Sequence, residues 1–239
     1  MNDKIVLIAG GTGGIGSATA RVFSEAGAIT VIAGRNRSKA DALVSELNEA
    51  GGEAYAVDLD VTSTESINDM THYVTRELGR IDVLINAFGT GLIKSILDVD
   101  PEKARETVEV NVMGTINVTQ SVVRQMAEQK SGKVIMFPGI LGKNVMRNTS
   151  VYSASKFAVT GFTKALVEET RRFNIGFSLL FLGGVNTGFW NNEEVQMKVQ
   201  TDKMLTTDEV ARAVFFAANQ SSPGVLNEMV LQPDSHQMV

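Results

Sequence analysis

The 239-residue sequence predicts an α/β fold with a doubly wound parallel sheet of about seven strands and helices on both faces. Short runs rich in β-branched residues alternate with amphipathic stretches along the whole chain, and glycines follow the first of these runs. Such alternation is typical of βαβ units, whose parallel sheet is covered by helices on both sides. No repeat or linker-like segment interrupts the pattern, which predicts a single domain over residues 1–239.

Each element is predicted from its local pattern. Strands are expected at Ile5–Ala9, Ile29–Ala33, Ala54–Val57, Val83–Ile85, Val134–Phe137, Gly176–Leu182 and Met229–Leu231. Helices are expected at Gly16–Ala26, Ser38–Ala50, Ser66–Leu78, from Asp100 to about Glu128, at Val151–Arg172 and from Thr206 to Asn219. Asp100 and Pro101 suit the N-cap and first helical position, and Thr206 with Glu209 forms a capping box. Ligands of such sheets bind where the strands end.

Composition argues against several classes of partner and site. The net charge is −5 and basic residues do not cluster, so nucleic acid is not expected as a partner. The chain has no cysteine, which excludes disulfides and suits a cytoplasmic location. His72 and His236 are far apart, so no metal site is expected. The longest apolar stretch, Ile175–Val185, is shorter than the about 20 residues that span a bilayer, so no membrane association is expected.

The turn after the first strand predicts a nucleotide site on a Rossmann-type sheet. Residues 10–16 read Gly-Gly-Thr-Gly-Gly-Ile-Gly. Glycines permit a sharp turn and a close backbone approach to a pyrophosphate, which rests on the helix N-terminus. A Walker loop would need lysine before Ser17, so that alternative fails, and a glycine turn without a ligand remains as the other alternative. The candidate cofactor contacts are Gly10, Thr12, Gly13, Gly14, Ile15 and Gly16.

The end of the second strand indicates which dinucleotide would bind. In NAD-binding sites a carboxylate about 20 residues after the glycines holds the ribose 2′-hydroxyl. Gly34 occupies that place and Arg35 follows it. A guanidinium suits a 2′-phosphate, so Arg35 predicts NADP(H) as the cofactor. The alternative is that Arg35 and Arg37 are solvated charges of a turn.

Tyr152 and Lys156 stand four residues apart at the start of a predicted helix. This spacing places the phenol and the ammonium on one helix face. A nearby ammonium favours the phenolate, so the pKa of Tyr152 is expected to fall toward working pH and make it a general acid or base. Most Tyr–Lys pairs at this spacing are only surface neighbours, so the pair indicates a catalytic site only together with other motifs.

Together these motifs resemble the short-chain dehydrogenase/reductase family, and the resemblance covers nearly the whole chain. In the family's order, the sequence carries Gly10-x-x-x-Gly14-x-Gly16, Asn86 before Ala87-Phe88-Gly89, Asn111 within Val110–Thr115, and Tyr152-x-x-x-Lys156. The loop Gly183–Gly188 resembles the family's Pro-Gly-x-Val-x-Thr loop beside the nicotinamide. The tail Asn227–Pro233 resembles members that use NADP. The resemblance implies hydride transfer between nicotinamide and a small-molecule carbonyl or alcohol.

The resemblance also implies roles for particular residues. Tyr152 would protonate the developing alkoxide, Lys156 would hold the ribose hydroxyls, and Asn111 would anchor a water of the proton relay. Asp60 would contact the adenine, and the other implied cofactor contacts are Val61, Asn86, Gly183, Val185 and Thr187. The segment 189–203 would cover the substrate as a lid. Family members pair two long helices across a two-fold axis, which implies a homodimer or homotetramer.

The sequence departs from the family at the position thirteen residues before Tyr152, where Gly139 replaces the catalytic serine. Losing one such donor costs about 10²–10³ in rate. Either the chain is an oxidoreductase in which a neighbouring hydroxyl such as Thr149 or Ser150, a backbone N–H or a water stands in, or it is a catalytically impaired NADP(H)-binding regulatory or interaction protein. Two alternatives explain a glycine at position 139: it enlarges the pocket for a bulkier substrate, or the backbone there adopts a positive φ that glycine tolerates. Leu182 in place of the loop proline and Ala87-Phe88 in place of Asn-Ala are further departures.

Overall fold

A computed structural model of the chain describes residues 1–238, and one seven-stranded parallel sheet forms its centre. The strands are β1 (Ile5–Ala9), β2 (Ile29–Gly34), β3 (Glu53–Asp58), β4 (Val83–Asn86), β5 (Gly132–Met136), β6 (Ile175–Leu182) and β7 (Glu228–Leu231). Their order across the sheet is β3-β2-β1-β4-β5-β6-β7, and every neighbouring pair is parallel. The chain therefore winds outward from β1 in one half and from β4 in the other. The predicted fold class is confirmed.

Seven α-helices cover this sheet. They are α1 (Gly14–Glu25), α2 (Arg37–Glu49), α3 (Thr64–Leu78), α4 (Pro101–Val108), α5 (Thr115–Gln129), α6 (Ser150–Thr170) and α7 (Thr207–Ala218). The Asp100 side chain caps α4 by accepting from the Glu102 amide at 2.9 Å, and Thr206 with Glu209 forms the capping box of α7. Within residues 1–238, no helix is both long and apolar enough to cross a membrane.

The sheet divides the apolar interior into two layers because successive strand residues point to opposite faces. Leu7 of β1 belongs to the layer that contains buried residues of α3, α5 and α6. Its neighbours Val6 and Ile8 belong to the layer that contains buried residues of α1, α2 and α7. All five residues of β1 are buried, which is why this strand reads as a continuous apolar run.

The helix predicted from Asp100 to about Glu128 differs from the observed one at its middle. A π-helical segment, Glu109–Gly114, separates α4 from α5, so the element is not a regular α-helix throughout. Asn111 lies in this segment and is buried, and its carbonyl accepts a hydrogen bond from the Thr115 hydroxyl at 2.8 Å. A π turn carries one extra residue and often marks a functional site. Apolar periodicity does not reveal such an insertion, because the pattern resumes after one turn.

The segment after β6 crosses the carboxyl edge of the sheet as two short 3₁₀ helices, Gly188–Asn191 and Thr201–Lys203. Between them, Val195 pairs with Ile93 in the connection that follows β4. A second isolated bridge joins Val185 to Leu205. The region predicted as a lid, residues 189–203, is therefore tied at its middle to the segment after β4.

Candidate active site

The carboxyl ends of the central strands surround a cleft of about 850 Å³. Its walls come from the glycine turn, from the segments after β4 and β5, from the start of α6, and from the chain after β6. The predicted site residues that line it are Gly13, Gly14, Ile15, Gly139, Tyr152, Lys156, Gly183, Val185 and Thr187. Residues separated by more than 170 positions thus meet at the place where ligands of open α/β sheets bind.

The glycine turn has the geometry that a phosphate group needs. Gly10 has φ +82°, and a Cβ there would lie 2.7 Å from the Phe88 amide nitrogen. Gly13 is the N-cap of α1 and places no side chain over the first helical amides. A Cβ on Gly14 would lie 3.0 Å from the Thr187 methyl carbon, so the turn faces the loop after β6 across a narrow gap. Bare amides at a helix N-terminus, flanked by a hydroxyl-bearing loop, fit a dinucleotide pyrophosphate.

At the end of β2, the structure places the residues predicted to choose between cofactors. A Cβ on Gly34 would lie 3.2 Å from the Thr12 hydroxyl oxygen, so a carboxylate side chain at this position would crowd the turn. Arg35 is exposed and makes no ion pair with any of residues 1–238. Arg37 instead contacts Asp41 at 2.8 Å and Asp58 at 3.6 Å. Of the two guanidiniums, that of Arg35 is the one without an ion pair within residues 1–238, so all its donors are available for a phosphate.

Asp60 lies near Arg35 just beyond β3. Its carboxylate accepts hydrogen bonds from the Thr62 amide at 2.9 Å and the Thr62 hydroxyl at 2.7 Å. These bonds, with a smaller contribution from the Arg35 charge, hold the pKa of Asp60 below its usual range. The adjacent Val61 packs against the π-helical segment, where a Cβ on Gly114 would lie 3.0 Å from a Val61 methyl carbon. Asp60 and Val61 therefore lie just beyond the carboxyl end of β3, an edge strand of the sheet, with Val61 against the π-helical segment.

Tyr152 and Lys156 reach the cleft from the first two turns of α6. The Lys156 ammonium donates to the Phe137 carbonyl at 3.0 Å and lies 5.6 Å from the centre of the Tyr152 ring. Burial lowers the pKa of Lys156 to about 8. Burial also raises the pKa of the Tyr152 hydroxyl above its ordinary value of 10. The expectation that Lys156 lowers the pKa of Tyr152 is wrong for this arrangement, because desolvation of the phenol outweighs an ammonium that bonds to a carbonyl.

Asn111 holds the segment after β4 in place. Its side-chain carbonyl accepts from the Thr90 amide at 2.8 Å, and its amide group donates to the Thr90 carbonyl at 2.9 Å and to the Ser155 hydroxyl at 3.1 Å. A Cβ on Gly89 would lie 3.1 Å from the Asn111 oxygen and 3.5 Å from the Lys156 nitrogen. Asn111 and Lys156 therefore flank the same glycine, with the widened π turn bringing Asn111 inward.

The side chain of Asn86 does not line the cleft, so the predicted cofactor contact of this residue would have to come from its backbone and stays a prediction. The side chain is buried and donates to the Thr119 hydroxyl of α5 at 3.0 Å and to the Met136 sulfur at 3.2 Å. Asn86 is the last residue of β4, and its side chain lies on the side of the sheet that α5 covers. Its contribution to the site is therefore to fix the direction in which the chain leaves β4.

Gly139 lies in the cleft wall with φ +65° and ψ 173°, a conformation that residues other than glycine rarely adopt. The suggestion that Thr149 or Ser150 replaces a serine hydroxyl there is wrong. The Thr149 hydroxyl bonds to the Met146 carbonyl at 2.6 Å and to the Ser153 hydroxyl at 2.9 Å. Thr149 and Ser150 line a separate surface pocket on the other side of α6.

The structure adds cleft residues that the motifs do not indicate. Gly91 and Phe189 contact each other beside Tyr152, and the chain after β7 contributes a further part of the wall. This tail is held by hydrogen bonds between the Gln232 side chain and the Met238 backbone, at 2.8 and 3.1 Å. Pro233, Ser235 and His236 of this tail also line the cleft, and no local pattern marks them, since they reach it only through tertiary packing. Phe189, Lys198 and Lys203 line it as well and belong to the predicted lid, residues 189–203.

The fold agrees with comparisons to known proteins. The family model for short chain dehydrogenase matches residues 4–198, and the chain belongs to this family. An uncharacterised oxidoreductase of Staphylococcus aureus is 30% identical over 233 residues, covering 98% of both chains. An alcohol dehydrogenase from the archaeon Thermococcus sibiricus, complexed with 5-hydroxy-NADP, has a TM-score of 0.91 at 22% identity over 100% of both chains. A single-residue variant of actinorhodin polyketide ketoreductase, with NADPH, has a TM-score of 0.88 at 26% identity over 98% of both chains.

Proposed function

We propose that this chain acts as a single-domain, NADP(H)-dependent oxidoreductase that transfers hydride between nicotinamide and a carbonyl or secondary alcohol. The observation that carries the proposal is that Tyr152 and Lys156 share one cleft with the glycine turn. The cofactor would supply the hydride. Its pyrophosphate would be held by Gly13 and Gly14 at the start of α1, and its other half would lie along Gly183, Val185 and Thr187. The ketoreductase of similar fold binds NADPH, which supports the same cofactor here.

Tyr152 would act as the proton donor. Its raised pKa keeps the phenol protonated at neutral pH, which suits donation to the alkoxide that develops during carbonyl reduction. Lys156, with a pKa of about 8, is largely charged at neutral pH and would bind the ribose hydroxyls from the position where it now donates to the Phe137 carbonyl. Asn111 would hold the Thr90 backbone through its hydrogen bonds and so keep the neighbouring Gly89 beside Lys156.

Replacing Tyr152 by phenylalanine tests this role. Tyr152→Phe keeps the ring contact with Phe189 and removes the hydroxyl proton, so turnover of a reducible carbonyl should fall by about 10²-fold or more. NADPH affinity, measured in parallel by fluorescence titration, should stay unchanged. A fully active phenylalanine variant would show that α6 does not carry the proton donor.

The preference for NADP(H) would rest on Arg35. A charge-assisted hydrogen bond contributes enough that NADPH should bind Arg35→Ala about 10- to 150-fold more weakly than the unmodified protein. NADH affinity should change little. Arg37→Ala is the matched control, because the Arg37 guanidinium already pairs with Asp41 and Asp58. Equal losses for NADPH and NADH in Arg35→Ala would mean that Arg35 only supports the turn.

The other reading, a regulatory NADP(H)-binding protein without efficient turnover, gains no specific support. A purely structural role does not require Tyr152 and Lys156 to reach the same cleft as the glycine turn. The curated relatives are described as oxidoreductases. Tight NADPH binding together with no turnover on a broad panel of carbonyls would nevertheless favour the regulatory reading.

We also propose that the chain assembles as a homodimer or homotetramer through the helices after β4 and β5. Large apolar side chains lie exposed along this part of the surface. On the α4–α5 element these are Val108 and Met113, and on α6 they are Phe157 and Val167, each about 40% exposed. A two-fold axis would place the same set on both partners, so each copy would cover the other's apolar side chains.

A further inference from the structure

Three aromatic side chains line the cleft in succession, and we name them the aromatic wall: Tyr152, Phe189 and Trp190. The ring centres of Tyr152 and Phe189 are 5.8 Å apart, and those of Phe189 and Trp190 are 5.1 Å apart in an edge-to-face arrangement. The Trp190 ring is held by its N–H, which donates to the Val185 carbonyl at 2.8 Å. Phe189 is therefore the ring that stands between the proposed proton donor and a fixed indole.

The position of Phe189 depends on a glycine. A Cβ on Gly91 would lie 2.5 Å from two carbons of the Phe189 ring and 2.7 Å from a Val195 methyl carbon. Carbon atoms in contact are separated by about 3.5–4.0 Å, so no larger residue at position 91 leaves the ring where it is. Gly91 thus acts as the seat on which the Phe189 ring rests.

Backbone pairing holds the ring on this seat. The Ile93 amide donates to the Glu194 carbonyl at 2.8 Å, and the Gln196 amide donates to the Ile93 carbonyl at 2.9 Å. The Lys94 ammonium and the Glu194 carboxylate add a half-buried ion pair at 3.4 Å. These contacts hold the segment that contains Phe189 against the segment that contains Gly91. Backbone hydrogen bonds therefore fix the position of the Phe189 ring.

The surroundings of the aromatic wall offer a substrate mostly apolar contact. Ile93, Leu141, Met146 and Met197 line the same cleft, and within residues 1–238 its lining includes no Asp or Glu; its charged side chains are those of Lys156, Lys198 and Lys203. Across the cleft, the nearest heavy atom to a Cβ on Gly139 would be the Leu182 carbonyl oxygen at 3.7 Å, so this side has space where the family's serine would stand. Without a serine hydroxyl, substrate binding must depend more on the apolar part of the molecule.

From this arrangement we propose that Phe189 determines substrate specificity and selects carbonyls or alcohols with an aromatic ring attached to the reacting carbon. The substrate ring packs on the aromatic wall while its oxygen faces the Tyr152 hydroxyl. Aromatic rings in offset or edge-to-face contact gain stabilisation beyond the area that they bury. This assignment rests on the proposed function, because the reacting carbon is the one that accepts or gives the hydride.

The test measures the ratio of kcat/KM for acetophenone to kcat/KM for cyclohexyl methyl ketone at saturating NADPH, and this ratio is the preference of each protein. Conjugation makes the acetophenone carbonyl intrinsically less electrophilic, so the ratio is compared between proteins, and it should be about 3- to 10-fold higher in the unmodified protein than in a protein without the Phe189 ring. Phe189→Leu keeps an apolar side chain without the ring and should lower the ratio by this factor, mainly through a higher KM for acetophenone. Gly91→Ala, which displaces the ring without altering it, should reduce the preference in the same direction.

The matched control is Phe216→Leu, because Phe216 lies exposed on α7 outside the cleft. This variant should keep the preference of the unmodified protein. An equal preference in the unmodified protein and in Phe189→Leu would overturn the assignment. A loss of preference in Phe216→Leu of the same size would also overturn it, since the effect would then not belong to the cleft.

Binding can be measured without turnover because Trp190 is the single tryptophan of the chain and contacts Phe189. In protein saturated with NADP⁺, acetophenone should quench Trp190 fluorescence with a lower Kd than cyclohexyl methyl ketone, and Phe189→Leu should bring the two Kd values together. Selective binding with no reduction of either ketone would refute the proposed function and leave the specificity of the cleft supported. Equal Kd values, or no saturable quenching by either ketone, would overturn the specificity assignment.

Discussion

Replacing Gly139 by serine or alanine tests two effects separately: whether the backbone at this position requires glycine, and whether the missing serine hydroxyl limits the rate. Gly139 has φ +65° and ψ 173°, a region populated almost only by glycine, and other residues forced into such regions cost about 1–3 kcal/mol. Because a Cβ there would have no heavy atom closer than 3.7 Å, steric overlap adds nothing to this cost. Both Gly139→Ala and Gly139→Ser should therefore lower the free energy of unfolding by about 1–3 kcal/mol, or the melting temperature by about 2–12 °C.

The control for stability is Gly161→Ala, which lies exposed within α6 where a Cβ meets nothing within 4 Å of the same chain. Because Gly161 lies one turn from Phe157 on the proposed assembly surface, the variants are compared in the Phe157→Glu background. Gly161→Ala should stabilise the protein by about 0.5–1 kcal/mol, because alanine favours a helix over glycine. The two alanine variants should thus shift the melting temperature in opposite directions. An unchanged melting temperature in Gly139→Ala would refute the backbone reasoning.

Activity then isolates the hydroxyl. Gly139→Ser and Gly139→Ala carry the same backbone strain, so the ratio of their kcat values reports only the added oxygen. If a donor at this place stabilises the developing alkoxide, serine should exceed alanine by up to about 10²-fold on a small carbonyl, with NADPH affinity equal in both. Equal rates in the two variants would show that the absent hydroxyl does not limit this site.

Two other predictions concern stability and assembly. Because burial lowers the pKa of Lys156 to about 8, the folded protein holds fewer protons at this site than the unfolded chain between pH 8 and 10.4. Stability relative to Lys156→Met should therefore rise by up to about 3 kcal/mol as pH increases through this window; a pH-independent difference in denaturant titrations would contradict the assignment. Light scattering should give two or four times the 25.7 kDa chain mass, falling toward one in Phe157→Glu. A single-chain mass for the unmodified protein would refute the proposed assembly.

The sequence by itself determined the sheet and the glycine turn at one end of the cleft. Strand–helix alternation is a local property, so it identified all seven strands, with ends that shift by at most two residues. The glycine turn was equally readable, because the positive φ of Gly10 and its close approach to Phe88 demand glycine at a fixed distance from the first strand. The Tyr152–Lys156 spacing correctly placed both side chains in one cleft, since residues four apart share a helix face.

Only the tertiary structure decided how these groups behave chemically. The pKa of Tyr152 rises instead of falling, because burial of the phenol depends on chain segments distant in sequence and the Lys156 ammonium bonds to the Phe137 carbonyl. The direction of the Asn86 side chain depends on α5, and the π turn at Asn111 depends on contacts with Thr90. The Phe189 ring packs against Gly91, which is 98 positions away in sequence, so no periodicity or motif indicates this contact. The backbone conformation of a residue depends mainly on its neighbours in sequence. Desolvation of a side chain and close contact between distant segments arise only when the chain is packed.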